Sequence, residues 1–375
     1  MLDTLRLSFP GDRKLRRAVR SDDPRFKPEI LARLEADRVQ HAYVLANAGG
    51  APCASATMLL EPKLLRGGTT VAHVCEMSAI PPEPSSSSYA PVDLLAKMIE
   101  EARRMGCYKI IADVRPEAVE SFLSLGFRQA QMAMEIDLNQ ATERPSRLVA
   151  ATLGAALAAG GVMVASACCG SAPTGHSAAM AASWLALLAG AGSVAQRRAN
   201  PLVCSTTARR VDVQQRSPGS RDGEGITSIT LRRLATTDDS TAYLGLLAQL
   251  SVAPPMHPAA FAAQMERTQG SGAHAILVAE PVDGRSIVAC GTIVIERRVL
   301  GAGSSQELVA HIEDVVVDQS MRGCGLGRLI IEHLLVVAGR AGCARATLNC
   351  TPENAAFYER CGMRLSDAAG LALYF

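Results

Sequence analysis

Glu313, Asp314, Arg322, Gly325 and Gly327 fall within one stretch, His311 to Ile331, which reads HIEDVVVDQSMRGCGLGRLII. The spacing Arg322-x-x-Gly325-x-Gly327 suits a diphosphate. Residues without a Cβ let successive backbone N–H groups point into one concavity, a helix start adds the positive end of its dipole, and the arginine adds a charged fork. Tyr358, a neutral phenol, can donate a hydrogen bond or a proton, and the carboxylates of Glu313 and Asp314 can accept one. Adjacent residues on a regular strand point to opposite faces. Only a bulge would bring both to one cleft.

Those side chains need a strand, a tight turn and a helix in that order. Val315 to Val317 is a short β-branched run, as in a buried strand. Leu326, Leu329, Ile330, Glu332, His333 and Leu334 continue at helical spacing, so the glycines stand where strand hands over to helix. Downstream, the strand-like Ala344 to Cys350 leads to a helix starting near Glu353, on which Asn354 and Tyr358 share a face. Upstream, ITLRRLATTDD reads as a strand running into a capped helix, and AHAILVAE and SIVACGTIVIERRVL as two strands.

Arg-x-x-Gly-x-Gly after a strand resembles the acetyl-CoA loop of the GNAT superfamily of N-acetyltransferases. The dinucleotide-binding fingerprint fits worse, because no Gly-x-Gly-x-x-Gly is present and no acidic residue follows at the expected distance. HIEDVVVD, RGCGLGRLIIEHL, the Gly-Cys before the next strand, PENAAFYERCGM and the terminal ALYF, in this order over Ile226 to Phe375, are similar to the glucosamine 6-phosphate N-acetyltransferase family. The resemblance implies acetyl-CoA as co-substrate and no metal. It implies that Val315, Val317, Arg322, Gly323, Gly325, Leu326 and Gly327 hold the coenzyme, Asn354 its pantetheine arm, and Tyr358 its sulfur. It also implies Glu313 and Asp314 at the sugar amine, Ser251 where similar enzymes offer a threonine, and Arg345 where they have a lysine. Asn349 stands where the family more often has an acidic residue, so no charge-based role is expected there.

With 375 residues, 48% hydrophobic and 20% charged, the chain can build two modest domains. A net charge of +2 argues against a nucleic-acid footprint. The 11 cysteines include no Cys-x-x-Cys pair, which fits a reduced, cytoplasmic protein, and the opening MLDTLRLSFPGDRK has no apolar run of the signal-peptide kind.

An internal repeat organises the rest. Gly106 to Phe127 lines up without gaps on Gly342 to Met363, and HAYVLANAGGAPCASATMLLE faces HAILVAEPVDGRSIVACGTIVIE. The expected fold is α/β: two GNAT-like domains, residues 1–140 and 226–375, each a mixed, mostly antiparallel sheet flanked by helices. Residues 141–225 are expected to join them as an alanine-rich linker, ending in a flexible tether from Arg209 to Gly225. Leu148 to Gln196 contains no charged residue and carries basic flanks at Arg144, Arg147, Arg197 and Arg198. A disordered linker and a membrane hairpin both remain open. Each apolar half has only about six strongly apolar residues, worth roughly −0.3 to −0.6 kcal/mol apiece, so insertion would be marginal.

The first copy lacks the chemistry. Cys75 and Glu76 replace Glu313 and Asp314, PEPSSSSYAP replaces the glycine loop, and Phe122 and Ala118 replace Tyr358 and Asn354. It is expected to fold without catalysing. Enzymes of the resembled family are homodimers whose sites draw on both subunits, so two tandem copies imply an intramolecular pseudo-dimer. Lys109, which keeps the lysine that Arg345 replaces, would then complete the second copy's sugar site. The expected reaction is acetyl transfer to the amine of glucosamine 6-phosphate, on the route to UDP-N-acetylglucosamine. The alternatives are another small amine, or a membrane-tethered pseudoenzyme scaffold.

Overall fold

Alternating and β-branched runs become strands, and the periodic runs between them become helices. A computed structural model describes residues 13–19, 21–80, 90–138, 209–216, 224–283, 286–300 and 308–375. The first half contains β1 (Lys14–Arg17), α1 (Pro28–Ala36), β2 (Gln40–Ala46), β3 (Pro52–Pro62), β4 (Thr70–Ala79), α2 (Ala90–Arg104), β5 (Cys107–Val114), α3 (Val119–Ser124) and β6 (Arg128–Asp137). The second contains β7 (Arg209–Arg216), β8 (Glu224–Arg233), α4 (Ser240–Leu247), α5 (Pro258–Gln269), β9 (His274–Pro281), β10 (Ala289–Arg297), β11 (Leu308–Val317), α6 (Leu326–Ala341), β12 (Arg345–Cys350), α7 (Pro352–Arg360) and β13 (Arg364–Tyr374).

All the strands belong to one mixed sheet, ordered β1-β2-β3-β4-β5-β13-β6-β12-β11-β10-β9-β8-β7. Only β4–β5 and β11–β12 run parallel, each joined by a crossover helix, α2 or α6. The expected mostly antiparallel sheet is therefore present in each half, but the halves do not stay apart. They exchange their last strands: β13 pairs with β5, placing Tyr374 opposite Lys109, and β6 pairs with β12, placing Asp137 opposite Arg345. Exchange between two copies of one fold keeps each ladder. The added β6–β13 pairing joins the halves across what would otherwise be two exposed sheet edges.

The tether read from Arg209 to Gly225 is corrected in part. Within it β7 pairs along its length with β8, Arg209 opposite Leu231 through Arg216 opposite Glu224. In RRVDVQQR the period-2 signal is carried only by Val211 and Val213, and charge obscures it. Among the described residues no helix is long and apolar enough to cross a membrane. The alanine-rich run 148–195 lies outside them, as do residues 81–89, most of the first copy's serine-rich stretch.

Two cores repeat the architecture. Ile330, Ile331 and Leu334 of α6 pack on Ile293, Ile312 and Leu348; in the first half Leu94, Leu95 and Met98 of α2 pack with Ile110 and Phe122. Each such side chain contributes about 1.5–3 kcal/mol through burial. Gly291 lets α6 approach β10 closely, since a Cβ there would stand 2.8 Å from Ile330 Cγ2 and 2.9 Å from Leu334 Cδ1. A third cluster joins the halves, setting Leu64 and Leu65 against Tyr243, Phe261 and Met265.

Candidate active site

β11 is not regular. Cys290 of β10 faces Val316 but Thr292 faces Glu313, so two residues of β11, Asp314 and Val315, oppose Gly291 alone. Asp314 takes φ of +51°, a left-handed conformation that costs a non-glycine residue about 1–3 kcal/mol. The bulge brings both carboxylates to one cation: Lys63 Nζ lies 3.3 Å from Glu313 Oε2 and 3.1 Å from Asp314 Oδ2. That lysine belongs to the first half.

The first half repeats the device. Ser55 faces Ser78 and Thr57 faces Cys75, and Glu76 takes φ of +45°. Its carboxylate accepts hydrogen bonds from the Val299 and Leu300 backbone N–H groups and from Arg298 Nε at 3.2 Å. Each half therefore sends a cation into the other's bulge. Sequence reading missed Lys63, although the repeat held the signal: Lys63 and Arg298 both stand two residues after the aligned Glu61 and Glu296.

Lys63 is almost fully buried and also lies 2.6 Å from Glu61 Oε1. Burial pulls its ammonium down, but the summed attraction of Asp314, Glu61 and Glu313 carries it well above the usual lysine range. Burial pushes Asp314 up to about 6, against the attraction of Lys63 and with the repulsion of Glu61 and Glu313. His73 Nε2 lies 2.9 Å from Glu61, and His311 Nε2 lies 2.9 Å from Glu296 with Thr347 Oγ1 3.2 Å from its Nδ1. His311 is thus a half-buried, partnered residue inside β11. Glu61, His73 and Glu313 have metal-ligand chemistry and lie close together, but the Lys63 ammonium already bridges the two carboxylates.

β11 and β12 pair only from Val309 to His311 and from Arg345 to Thr347; beyond that the strands part, opening a wedge beside Val315 and Val317. The Val315 side chain packs into the core. At the end of the wedge Asp318 caps a short turn through Ser320 N, and Gln249 at the end of α4 donates to Asp318 at 2.7 Å. Arg322 is exposed, its Nε donating to Val317 O at 3.2 Å. Gly323 and Gly325 have φ of +83° and +84°, with nothing within 4 Å of where a Cβ would stand. Gly325 is the N-cap of α6, so open backbone meets a helix start, as a diphosphate requires. Gly327 does something else: its missing Cβ would stand 3.1 Å from Phe357 Cζ, and the space seats α7 against α6. Leu326 is buried and anchors the turn.

Tyr358 on α7 packs partly into this core, its ring 4.9 Å from Phe357. Burial pushes its phenol up to about 12, so it holds its proton. Asn354 is exposed, donating to Thr351 Oγ1 at 3.4 Å. Ser251 follows α4 in a loop whose Val252 carbonyl accepts from the Arg66 backbone N–H at 2.8 Å, so the first half braces it. Lys109 shares a strand face with Ile111 and Asp113. Arg345 is placed elsewhere than its substrate role implied. It lines a cavity around Cys75 and Glu76, with Nη1 3.5 Å from Glu135, because β12 faces the exchanged β6.

Replacing Gly325 by alanine forces a side chain into the left-handed region at the mouth of the turn. The expected result is a KM for acetyl-CoA raised about tenfold, a loss of about 1.4 kcal/mol, with the amine's KM nearly unchanged in steady-state kinetics.

An open glycine turn at a helix start, beside a carboxylate-lined wedge, suits an acetyltransferase, and residues 247–363 match the profile of the acetyltransferase (GNAT) family. The chain belongs to the GNAT family, whose acetyl donor is acetyl-CoA. It is 39% identical over 155 residues to glucosamine 6-phosphate N-acetyltransferase 1 of Oryza sativa subsp. japonica, covering 41% of this chain and 90% of that protein. It is 36% identical over 135 residues to glucosamine 6-phosphate N-acetyltransferase of Arabidopsis thaliana, covering 36% and 88%. Among solved structures, the Arabidopsis thaliana enzyme superposes with a TM-score of 0.35 at 34% identity, covering 37% of this chain and 92% of that one. A tandem GNAT protein from the clavulanic acid biosynthesis pathway covers 97% and 98%, with a TM-score of 0.45 at 12% identity.

Proposed function

We propose that the second half acetylates the amine of D-glucosamine 6-phosphate, giving N-acetyl-D-glucosamine 6-phosphate, in a site completed by the first half. The observation that carries this reading is Lys63 of the first half holding Glu313 and Asp314 of the second. In this reading residues 13–138 are a non-catalytic GNAT-like half and residues 226–375 the catalytic one, with 141–208 as connecting chain.

Acetyl-CoA supplies the thioester, held at its diphosphate by the turn from Arg322 to Gly325 and along its arm by Asn354 and the wedge beside Val315 and Val317. Asp314 takes the amine proton as the C–N bond forms. The C–S bond breaks, and the Tyr358 hydroxyl gives the departing sulfur its proton. The phosphate is met by Lys109 and Ser251.

Asp314 must be deprotonated to act. With its pKa near 6 it is mostly ionised at neutral pH, so kcat/KM rises as pH climbs through about 6. Asp314→Asn should remove that limb, and an unchanged limb would take the base role from Asp314. Lys109→Ala should raise the KM for the phosphosugar while leaving that for acetyl-CoA nearly unchanged; equal kinetics would remove Lys109 from the site. The reading as a whole is tested by thiol release from the full chain with glucosamine 6-phosphate against glucosamine and other small amines. Faster turnover of an unphosphorylated amine would assign a different substrate.

A further inference from the structure

The first half keeps the bulge and loses the thioester machinery. At Tyr358's repeat position it has Phe122, buried edge-on against Phe127, and at Asn354's it has Ala118. Its loop PEPSSSSYAP contains neither arginine nor glycine. Yet a cavity of about 270 Å³ lies at that bulge, bounded by both halves. Its lining carries both signs of charge: Arg115, Arg298 and Arg345, with Glu76, Asp113 and Glu135.

Several of these groups are under-used. Arg115 is exposed and makes no ion pair among the described residues. Arg345 Nε and Asn349 Oδ1 are buried without a hydrogen-bond partner, although Asn349 Nδ2 donates to Asp113 at 2.9 Å. Arg345 approaches Glu135 only to 3.5 Å, and Glu135 already has Arg364 at 2.5 Å. Buried donors and acceptors left unpaired are destabilising, and a ligand that pairs them recovers that loss.

We propose that this cavity binds an amino-sugar phosphate without turning it over, the ammonium against Asp113 and the phosphate against Arg115 and Arg345. A ligand carrying both charges is required, because a simple anion would meet the carboxylates and a simple amine the arginines. Size points the same way. Small-molecule pockets run from about 300 Å³ to 1,000 Å³, and a space just under that range holds a monosaccharide phosphate but not a nucleotide thioester. The choice of an amino sugar rests on the substrate proposed above; the two-signed chemistry rests on this cavity alone.

The test is calorimetric titration of the full chain with glucosamine 6-phosphate in the absence of acetyl-CoA. Two sites per chain are expected, falling to one in Arg115→Ala and in Arg345→Gln, with glucose 6-phosphate and glucosamine each at least tenfold weaker at the lost site. Both variants should fold, since Arg115 is exposed and Glu135 keeps Arg364. One site in wild type and variants alike, or two that survive both substitutions, would overturn the proposal. Turnover is measured separately. If glucosamine 6-phosphate is not acetylated but one bound equivalent disappears with Arg115→Ala, the proposed substrate falls and the cavity site stands.

Discussion

Lys63→Met will sharply slow acetyl transfer although the substitution lies in the first half, 250 residues from Glu313 and 251 from Asp314 in sequence. Methionine keeps the volume of the lysine stem and removes only the charge. Glu61, Glu313 and Asp314 then share a buried site without a cation. Removing one partner of a buried ionic cluster costs about 3–5 kcal/mol, to be read as a lower midpoint in urea unfolding. The kinetic effect has a definite sign. Lys63 holds Asp314 down against burial and two neighbouring carboxylates, so without it the Asp314 pKa rises above about 6 and the carboxylate is protonated at neutral pH. The acidic limb of kcat/KM should shift to higher pH, and the rate at pH 7 should fall by a factor on the order of 10². Lys63→Arg should restore part of both. A methionine variant with wild-type kinetics would show that the halves do not share a site.

Tyr358→Phe should lower kcat by roughly 10²- to 10³-fold, the usual contribution of a positioned proton donor, while leaving stability and the KM for acetyl-CoA nearly unchanged. The molecule already contains the control, since the first half carries Phe122 at the same repeat position, packed and buried. The change therefore removes a hydroxyl and not a packing contact. Because burial holds the phenol near 12, the wild type should show no alkaline fall in rate below that range caused by Tyr358. Thiol release in single turnover separates this loss from slow product release. A phenylalanine variant within a few-fold of wild type would assign the sulfur's proton to another donor.

Short-range features of the site were legible in the chain because they depend on neighbours. Gly323 and Gly325 at positive φ before a helix, and Asn354 with Tyr358 on one helix, lie within spans of a few residues. The adjacency of Glu313 and Asp314 posed the question of a bulge but not its answer, which came from Gly291 on the facing strand and the close approach of α6. Gly327 looked like part of the cradle and proved to accommodate Phe357, a contact between two helices that no local pattern announces.

By itself the chain determined that two copies of one α/β unit are present, that only the second has the glycine turn and the phenol, and that this turn suits a diphosphate. Those are properties of residue type and spacing. The tertiary structure alone decided which copy completes which site: β6 and β13 change places, Lys63 and Arg298 cross into each other's bulges, and Arg345 turns to the first half's cavity. Repeat alignment makes equivalent positions equal and cannot say on which side of a shared sheet each will stand. That follows from strand pairing between segments more than 200 residues apart, such as Tyr374 against Lys109 and Arg345 against Asp137. There the added pairing and the covered sheet edges outweigh keeping each final strand at home.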